Sequence, residues 1–224
     1  MTRHIKIFAI FILAAVIAVS LASCGFSDSF LTSLGFDVHD YAGESVIAEV
    51  DKNSQEAAKI TDIIKLMVCD TPQLMPFSNS REAVNAYRDI ILANMLGRNY
   101  SRYSCDDAKL AEAAKLYPHM TITVLIPEKD FETVIYTNFG GSSKVTNKGG
   151  DVFTYLDKAS AYTCVTVPEP ISSQIEITYL VETKNTYRIK FRIHIGETVS
   201  PDYSALVIKR SDGTVYIKTL SEDT

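Results

Sequence analysis

Apolar residues recur at intervals of three and four along the first half of the chain, which is the spacing of amphipathic helices. The first helix is predicted to begin with a capping box formed by Asn53 and Glu56. The second begins at Asn79 or Ser80, and Gly97 is expected to cap its C-terminus. Each helix then has one apolar face that must pack against other elements of the domain.

A third helix is predicted from about Asp106 to Tyr117, and the segment from Met120 to Ile126 is predicted to be a strand. Pro127 suits the first position of a further helix, which Gly140 would end. The apolar stripe of that helix contains Phe131, Val134, Ile135 and Phe139.

Apolar and polar residues alternate in the second half of the chain, which indicates strands. Two short strands are expected over residues 153–156 and 162–167. A hairpin follows, whose first strand places Ile175, Ile177, Tyr179 and Val181 on one face. A second hairpin, over 205–210 and 214–220, turns at Asp212-Gly213, a strong turn signal.

The register of the first hairpin depends on the length of its turn. A two-residue turn at Lys184-Asn185 places Arg192 opposite Ile177 and mixes polar with apolar faces. A three-residue turn instead places Ile177 opposite Ile193. Because a slip of one residue inverts the faces of a strand, we expect the three-residue turn.

These elements predict an α+β fold, with N-terminal helices packed on a curved antiparallel sheet of about four to six strands. The order of elements over roughly residues 53–220 resembles the nuclear transport factor 2-like, or cystatin-like cone, superfamily. The resemblance is one of element order and not of a motif. It implies a curved sheet that wraps a long helix and leaves a pocket between the two.

The first 24 residues have the pattern of an export signal. A short basic start is followed by an apolar run from Ile7 to Val19, which fits a signal peptide and is too short to span a bilayer. The next residues, Leu21-Ala22-Ser23-Cys24, resemble the lipobox of bacterial lipoproteins, an aliphatic residue and two small residues before an obligatory cysteine.

The resemblance implies cleavage before Cys24 and acylation of that cysteine, and two or more acyl chains attach a protein stably to membrane lipid. The expected organisation is a signal peptide over 1–23, a lipidated cysteine and tether over 24–43, and one α+β domain over 44–224. The protein would then lie at the extracytoplasmic face of the cell membrane. An ordinary cleaved signal and an uncleaved anchor are the alternatives.

Charge and cysteine content narrow the choice of partners. Without Arg3 and Lys6 of the leader, the chain keeps 20 basic against 27 acidic residues, a net charge of −7, which disfavours nucleic acid as a partner. Once Cys24 is acylated, three cysteines remain, so one at least stays unpaired. Cys69 and Cys105 are the candidates for a disulfide, and three buried thiols are the alternative.

No sequence motif of a cofactor site, a metal site or a catalytic nucleophile is present. The histidines lack the close spacing of metal ligands. One basic stripe on a predicted strand is a candidate anion-binding site, and its residues are Arg188, Lys190, Arg192 and His194. The alternative is a solvated face whose charges are paired, with Glu182 opposite Arg188 and Glu176 opposite His194.

The leading hypothesis is therefore a non-enzymatic binding or scaffold lipoprotein that engages a cell-wall component or another envelope protein. The alternative is a small hydrolase or isomerase with scattered acid and base residues in a cone-like pocket. A carboxylate beside His119 or His194 in an apolar cavity favours the enzyme. An interior filled by Phe131, Ile135, Phe139 and Phe191 favours the scaffold.

Overall fold

The alternating residues of the second half of the chain form strands. The computed structural model describes residues 41, 43–104, 107–141, 148–166 and 172–223. In chain order its strands are β1 (Ala48–Glu49), β2 (Ile126–Pro127), β3 (Thr154–Leu156), β4 (Ala161–Thr163), β5 (Gln174–Glu182), β6 (Thr186–Ile195), β7 (Thr198–Val199), β8 (Tyr203–Lys209) and β9 (Val215–Glu222).

The described strands form two antiparallel sheets. The larger has six strands in the order β1-β5-β6-β8-β9, with β7 paired to the end of β6. The smaller has three strands in the order β2-β4-β3. Together with the helices these sheets make the fold α+β, which confirms the predicted class.

The α-helices of the described residues all lie between Gln55 and Phe139. They are α1 (Gln55–Lys65), α2 (Ser80–Arg98), α3 (Tyr100–Ser104), α4 (Asp107–Leu116) and α5 (Glu128–Phe139), and a short 3₁₀ helix covers Asp157–Ala159. None of the described helices is both long enough and apolar enough to span a membrane.

The ends of α1 and α2 correct two details of the sequence prediction. Ser54, and not Asn53, caps α1, because its hydroxyl accepts the N–H of Ala57 at 3.1 Å. Asn79 caps α2 as predicted, but Gly97 does not end that helix. The helix continues through Arg98 and is capped at Asn99, so Gly97 lies in its last turn.

The predicted strand from Met120 to Ile126 is wrong for all but its last residue. The Leu125 N–H donates to the carbonyl of Tyr103, and the Met120 N–H donates to that of Tyr117. This backbone is therefore satisfied by the helical region that precedes it and not by a neighbouring strand.

The first hairpin has the two-residue turn at Lys184-Asn185 that its face pattern argued against. The Thr183 N–H donates to the Thr186 carbonyl at 2.9 Å. A β-bulge between Ile177 and Tyr179 then shifts the register, so that Ile177 pairs with Phe191 and not with Arg192, where the turn alone would place it. The expected pairing of Ile177 with Ile193 is therefore wrong. The extra residue at the bulge restores the apolar face in the part of β5 before it. A prediction from strict alternation of apolar and polar residues cannot locate such a bulge.

One continuous core joins the helices to the larger sheet. Helix α1 contacts both β5 and β9, and α5 contacts β9, so the sheet curves around the helical layer. The largest fully buried side chains are Tyr87, Tyr162, Tyr203, Phe131, Phe139, Phe153, Phe191, Ile60, Ile64, Met67, Ile91 and Leu92. Near their C-terminal ends α1 and α2 approach each other, since Arg98 Nη2 lies 3.4 Å from the carbonyl of Asp62.

Candidate functional site

The space between α5 and the larger sheet is filled by side chains. Phe131, Ile135 and Phe139 on α5 and Phe191 on β6 are each at most 1% exposed and belong to one core cluster. The interior pocket implied by the cone-like resemblance is occupied by core at these positions. Space for a ligand has to be sought at the surface of the helical layer.

A groove of about 680 Å³ opens beside the C-terminal ends of α1 and α2. We call it the α1–α2 groove. It is bounded by residues between Lys65 and Asp70, by the face of α2 between Asp89 and Arg98, and by Val152, Ser172 and Ser173. Its volume lies within the range of small-molecule sites.

One face of α2 forms the longest wall of the groove. Its residues are Ile90, Ala93, Asn94, Gly97 and Arg98, which recur at helical spacing. Ile90 and Ala93 are only partly buried, although they pack on the core. Gly97 is exposed and adds no side chain, so its position leaves the groove wide.

Asn94 ties the α2 wall to the end of α1. Its Nδ2 donates to the carbonyls of Leu66 and Val68 at 3.2 and 3.1 Å. These carbonyls follow the end of α1, where backbone acceptors have no partner within the helix. The side chain therefore fixes the angle between the two walls of the groove.

Asp89 ties the opposite rim to α2. Its Oδ2 accepts the backbone N–H groups of Asp151 and Val152 at 2.8 and 2.9 Å, and its Oδ1 accepts from Arg88 Nε at 3.2 Å. Gly150 is required beside this contact, since a Cβ there would lie 2.2 Å from Asp89 Oδ1. Val152, half exposed, is thereby held at the groove.

The charges of the groove differ in how far they are neutralised. Lys65 and Arg98 line it from the last turns of α1 and α2, and neither forms an ion pair with a described carboxylate. Arg98 Nη2 makes one long hydrogen bond, 3.4 Å, to the carbonyl of Asp62. Arg98 also borders a second groove of about 570 Å³ beside α5.

Cys69 is a partly exposed residue of the groove wall, and its Sγ lies 3.9 Å from Thr71 Oγ1. Cys105, its predicted disulfide partner, lies outside the described residues, so that pairing stays a prediction. Cys164 is buried and free, and burial raises the pKa of its thiol. Cys69 thus offers a chemical reporter inside the groove.

The basic stripe predicted on β6 faces acceptors that neutralise it. Lys190 pairs with Asp223 at 2.7 Å, Arg192 with Asp202 at 2.8 Å and His194 with Glu176 at 2.8 Å. Arg188 donates to the carbonyls of Tyr41 and Glu44. These contacts favour the paired, solvated face over the anion site, although Glu182 pairs with Lys209 and not with Arg188.

A second polar cluster joins the start of α5 to the smaller sheet. Lys148 Nζ and the Tyr155 hydroxyl each lie 2.5 Å from the Glu128 carboxylate. Burial raises the pKa of Glu128, but these two hydrogen bonds outweigh it and hold that pKa below its ordinary value. The buried Tyr162 hydroxyl nearby has no described hydrogen-bond partner, and burial raises its pKa to about 12. Because both Glu128 oxygens are engaged, we interpret the cluster as structural.

The histidines do not assemble a catalytic site in the described residues. His119 is exposed, and His194 meets Glu176 on the outer face of the sheet and not in an apolar cavity. Within the same residues, no group of three or more His, Cys, Asp or Glu side chains is arranged to hold a metal ion.

Sequence reasoning missed the groove because its walls come from four separate segments. The sequence predicts an apolar face of α2 that packs on other elements, but Ile90 on that face also lines the groove. Val152, Ser172 and Ser173 lie in loops without local pattern. The one available signal was Gly97, a residue that weakens a helix and often has a packing or functional reason.

Residues 1–40 lie outside the described part of the chain, and with them the predicted leader, Cys24 and most of the predicted tether, so these stay predictions. Comparison with protein families, with curated proteins and with solved structures finds no match to this chain.

Proposed function

We propose that this protein is a lipoprotein, held by acylated Cys24 at the extracytoplasmic face of the cell membrane, whose domain binds a ligand without transforming it. Support for the anchor comes from Leu21-Ala22-Ser23-Cys24 and the short apolar run before it. Its partners would be membrane lipid through Cys24 and a component of the envelope, whether of the cell wall or another envelope protein, through the domain.

One observation carries the binding function. Bulky core side chains fill the helix–sheet interior, whereas the α1–α2 groove stays open with apolar, amide, hydroxyl and charged groups on its walls. Such a mixture of apolar area and a few directed polar groups is typical of binding sites. The contacts of Asn94 and Asp89 preorganise those walls, which lowers the entropic cost of binding.

The enzyme alternative has less support among the described residues. Glu128 and Tyr155 form a hydrogen-bonded carboxylate–tyrosine pair, but Lys148 occupies the second carboxylate oxygen. A general base needs a free oxygen within reach of the proton that it removes. We therefore base the proposal on binding.

The anchor is tested by Cys24→Ser in the native host. Loss of the acylated thiol should leave the protein unprocessed or release it from the membrane fraction. A Cys164→Ser variant is the matched control, because it removes a different cysteine. If Cys24→Ser matures and fractionates like the unchanged protein, the lipoprotein proposal is wrong.

The groove is tested with the Cys69 thiol. We expect an extract of the host envelope to slow the alkylation of Cys69. The rate of alkylation is measured by peptide mapping in the mass spectrometer. Gly97→Leu, which adds a side chain to the groove wall, should remove this protection, whereas Ala111→Leu on the exposed side of α4 should keep it. Equal protection in both variants, or none in the unchanged protein, contradicts binding in the groove.

A further inference from the structure

We infer that the α1–α2 groove takes an anionic amphiphile, a carboxylate or phosphate group attached to a short apolar chain. The inference rests on the proposed binding function and adds the chemical class of its ligand. It comes from two properties of the groove, its unpaired cations and its apolar α2 face.

The cations are the first property. Lys65 and Arg98 enter the groove from two different helices, and neither meets a described carboxylate within ion-pair distance. On β6, by contrast, Lys190 and Arg192 each bind an aspartate directly. Lys65 and Arg98 therefore place two cations without a described carboxylate partner in one cavity, on a chain that is acidic as a whole.

The opposing charges of the groove do not cancel these cations. Asp89 is already engaged by Arg88 and by two backbone N–H groups. Asp70 is exposed at the rim, where solvent and salt screen it. A cation in a last helical turn also offsets the helix dipole, about half a charge at each C-terminus, but that role does not require both side chains to line one cavity.

The apolar wall is the second property. Ile90 and Ala93 are partly buried and Val152 is 50% exposed, so all three present apolar surface to the groove. A small hydrophilic anion would leave that surface in water. A ligand with an anionic end on Lys65 and Arg98 and an apolar chain along Ile90 matches both parts.

The test uses the processed protein in phosphatidylcholine vesicles, with octanoate and octyl phosphate as probes. Both probes should slow alkylation of Cys69, whereas octyltrimethylammonium, with the same chain and the opposite charge, should not. Protection by one anion alone assigns the headgroup as carboxylate or phosphate. Cys164 is the internal control, because its alkylation would report unfolding of the core.

Charge variants test whether Lys65 and Arg98 bind the anionic group of the probes. Lys65→Gln and Arg98→Gln should each raise the probe concentration needed for half-protection by about tenfold, since a hydrogen bond to a charged group is lost. Lys129→Gln, which removes an exposed cation on α5 outside the groove, should leave the probe concentration for half-protection unchanged. Equal effects of all three substitutions, or none, overturn the inference.

The outcomes separate this inference from the proposed function. If octyltrimethylammonium protects Cys69 as well as octyl phosphate does, or inorganic phosphate alone does so, the ligand class is wrong. If the envelope extract protects and neither anionic probe does, the inference fails while the binding function stands.

If protease treatment of the extract abolishes protection, the ligand is a polypeptide and the inference is again wrong. If neither extract nor probes protect, both fail.

Discussion

The carboxylate of Asp89 on α2 holds the backbone of Val152, with Oδ2 2.9 Å from the Val152 nitrogen. The contact spans 63 residues of sequence and fixes one rim of the α1–α2 groove. The contact therefore joins two elements of different kinds. The sequence predicts α2 well, but it has no local signal for the loop that contains Val152.

Asp89→Ala should therefore loosen this rim. Loss of the acceptor leaves the backbone N–H groups of Asp151 and Val152 without their partner and removes the contact with Arg88 Nε, so the free energy of unfolding should fall by about 1–3 kcal/mol. Urea denaturation measures the fall, and hydrogen exchange at the amides of Asp151 and Val152 should accelerate. The control is Asp70→Ala, an exposed groove residue without a described partner, which should stay within about 0.5 kcal/mol of the unchanged protein. Equal effects of the two substitutions refute the role of Asp89.

Gly97→Ala tests whether the groove is kept open at a cost in helix stability. Gly97 has helical backbone in the last turn of α2, and alanine is favoured over glycine in a helix, so we expect a gain of roughly 0.5–1 kcal/mol. Urea denaturation of the two proteins gives the difference. A loss of stability would mean that the glycine is needed for packing and not for the groove.

The hairpin shows why the fold class was predictable and its register was not. Composition, turn residues and alternation identify both hairpins, and Asp212-Gly213 does turn the second, with Gly213 at a φ of +79°. The bulge after Ile177, however, reverses the expected faces: Leu180 is buried and Tyr179 is 41% exposed. A bulge depends on which strands and helices cover each face, and a single strand's pattern does not contain that information.

The same limit applies to the groove. The sequence predicts the cap at Asn79 because capping is a local feature that depends on one residue and its neighbours. The meeting of Lys65, Arg98 and Val152 depends on how three segments pack, and nothing within any one segment encodes it. The role of a residue can thus be predicted from the sequence where local chemistry determines it, and cannot where tertiary packing determines it.

The ion pair of Glu182 follows from the observed register and can be tested separately. Glu182 Oε1 lies 2.8 Å from Lys209 Nζ on β8, and its side chain is 35% exposed. Glu182→Gln should therefore lower the free energy of unfolding by only about 0.2–1 kcal/mol, and a double-mutant cycle should couple Glu182 to Lys209 but not to Arg188. A measured coupling between Glu182 and Arg188 would instead support the register with the three-residue turn.

The Glu128–Lys148 contact predicts a pH dependence. The folded-state pKa of Glu128 lies below its ordinary value of 4.5, so the unfolded chain takes up this proton first as the pH falls. Its stabilisation is complete well above pH 4.5 and is lost as the pH drops through the lowered pKa. The difference in unfolding free energy between the unchanged protein and Glu128→Gln, measured by urea denaturation, should be about 1–3 kcal/mol at pH 7 and shrink below pH 4.5. A difference that grows at low pH contradicts this assignment.

The central claim of a lipid-anchored binding protein is tested most directly by the intact mass of the protein purified from its native membrane. We predict a chain that begins at Cys24, without Met1–Ser23, and carries added mass equal to a diacylglyceryl group or more. A chain that keeps its leader, or begins at an unmodified Cys24, would contradict it.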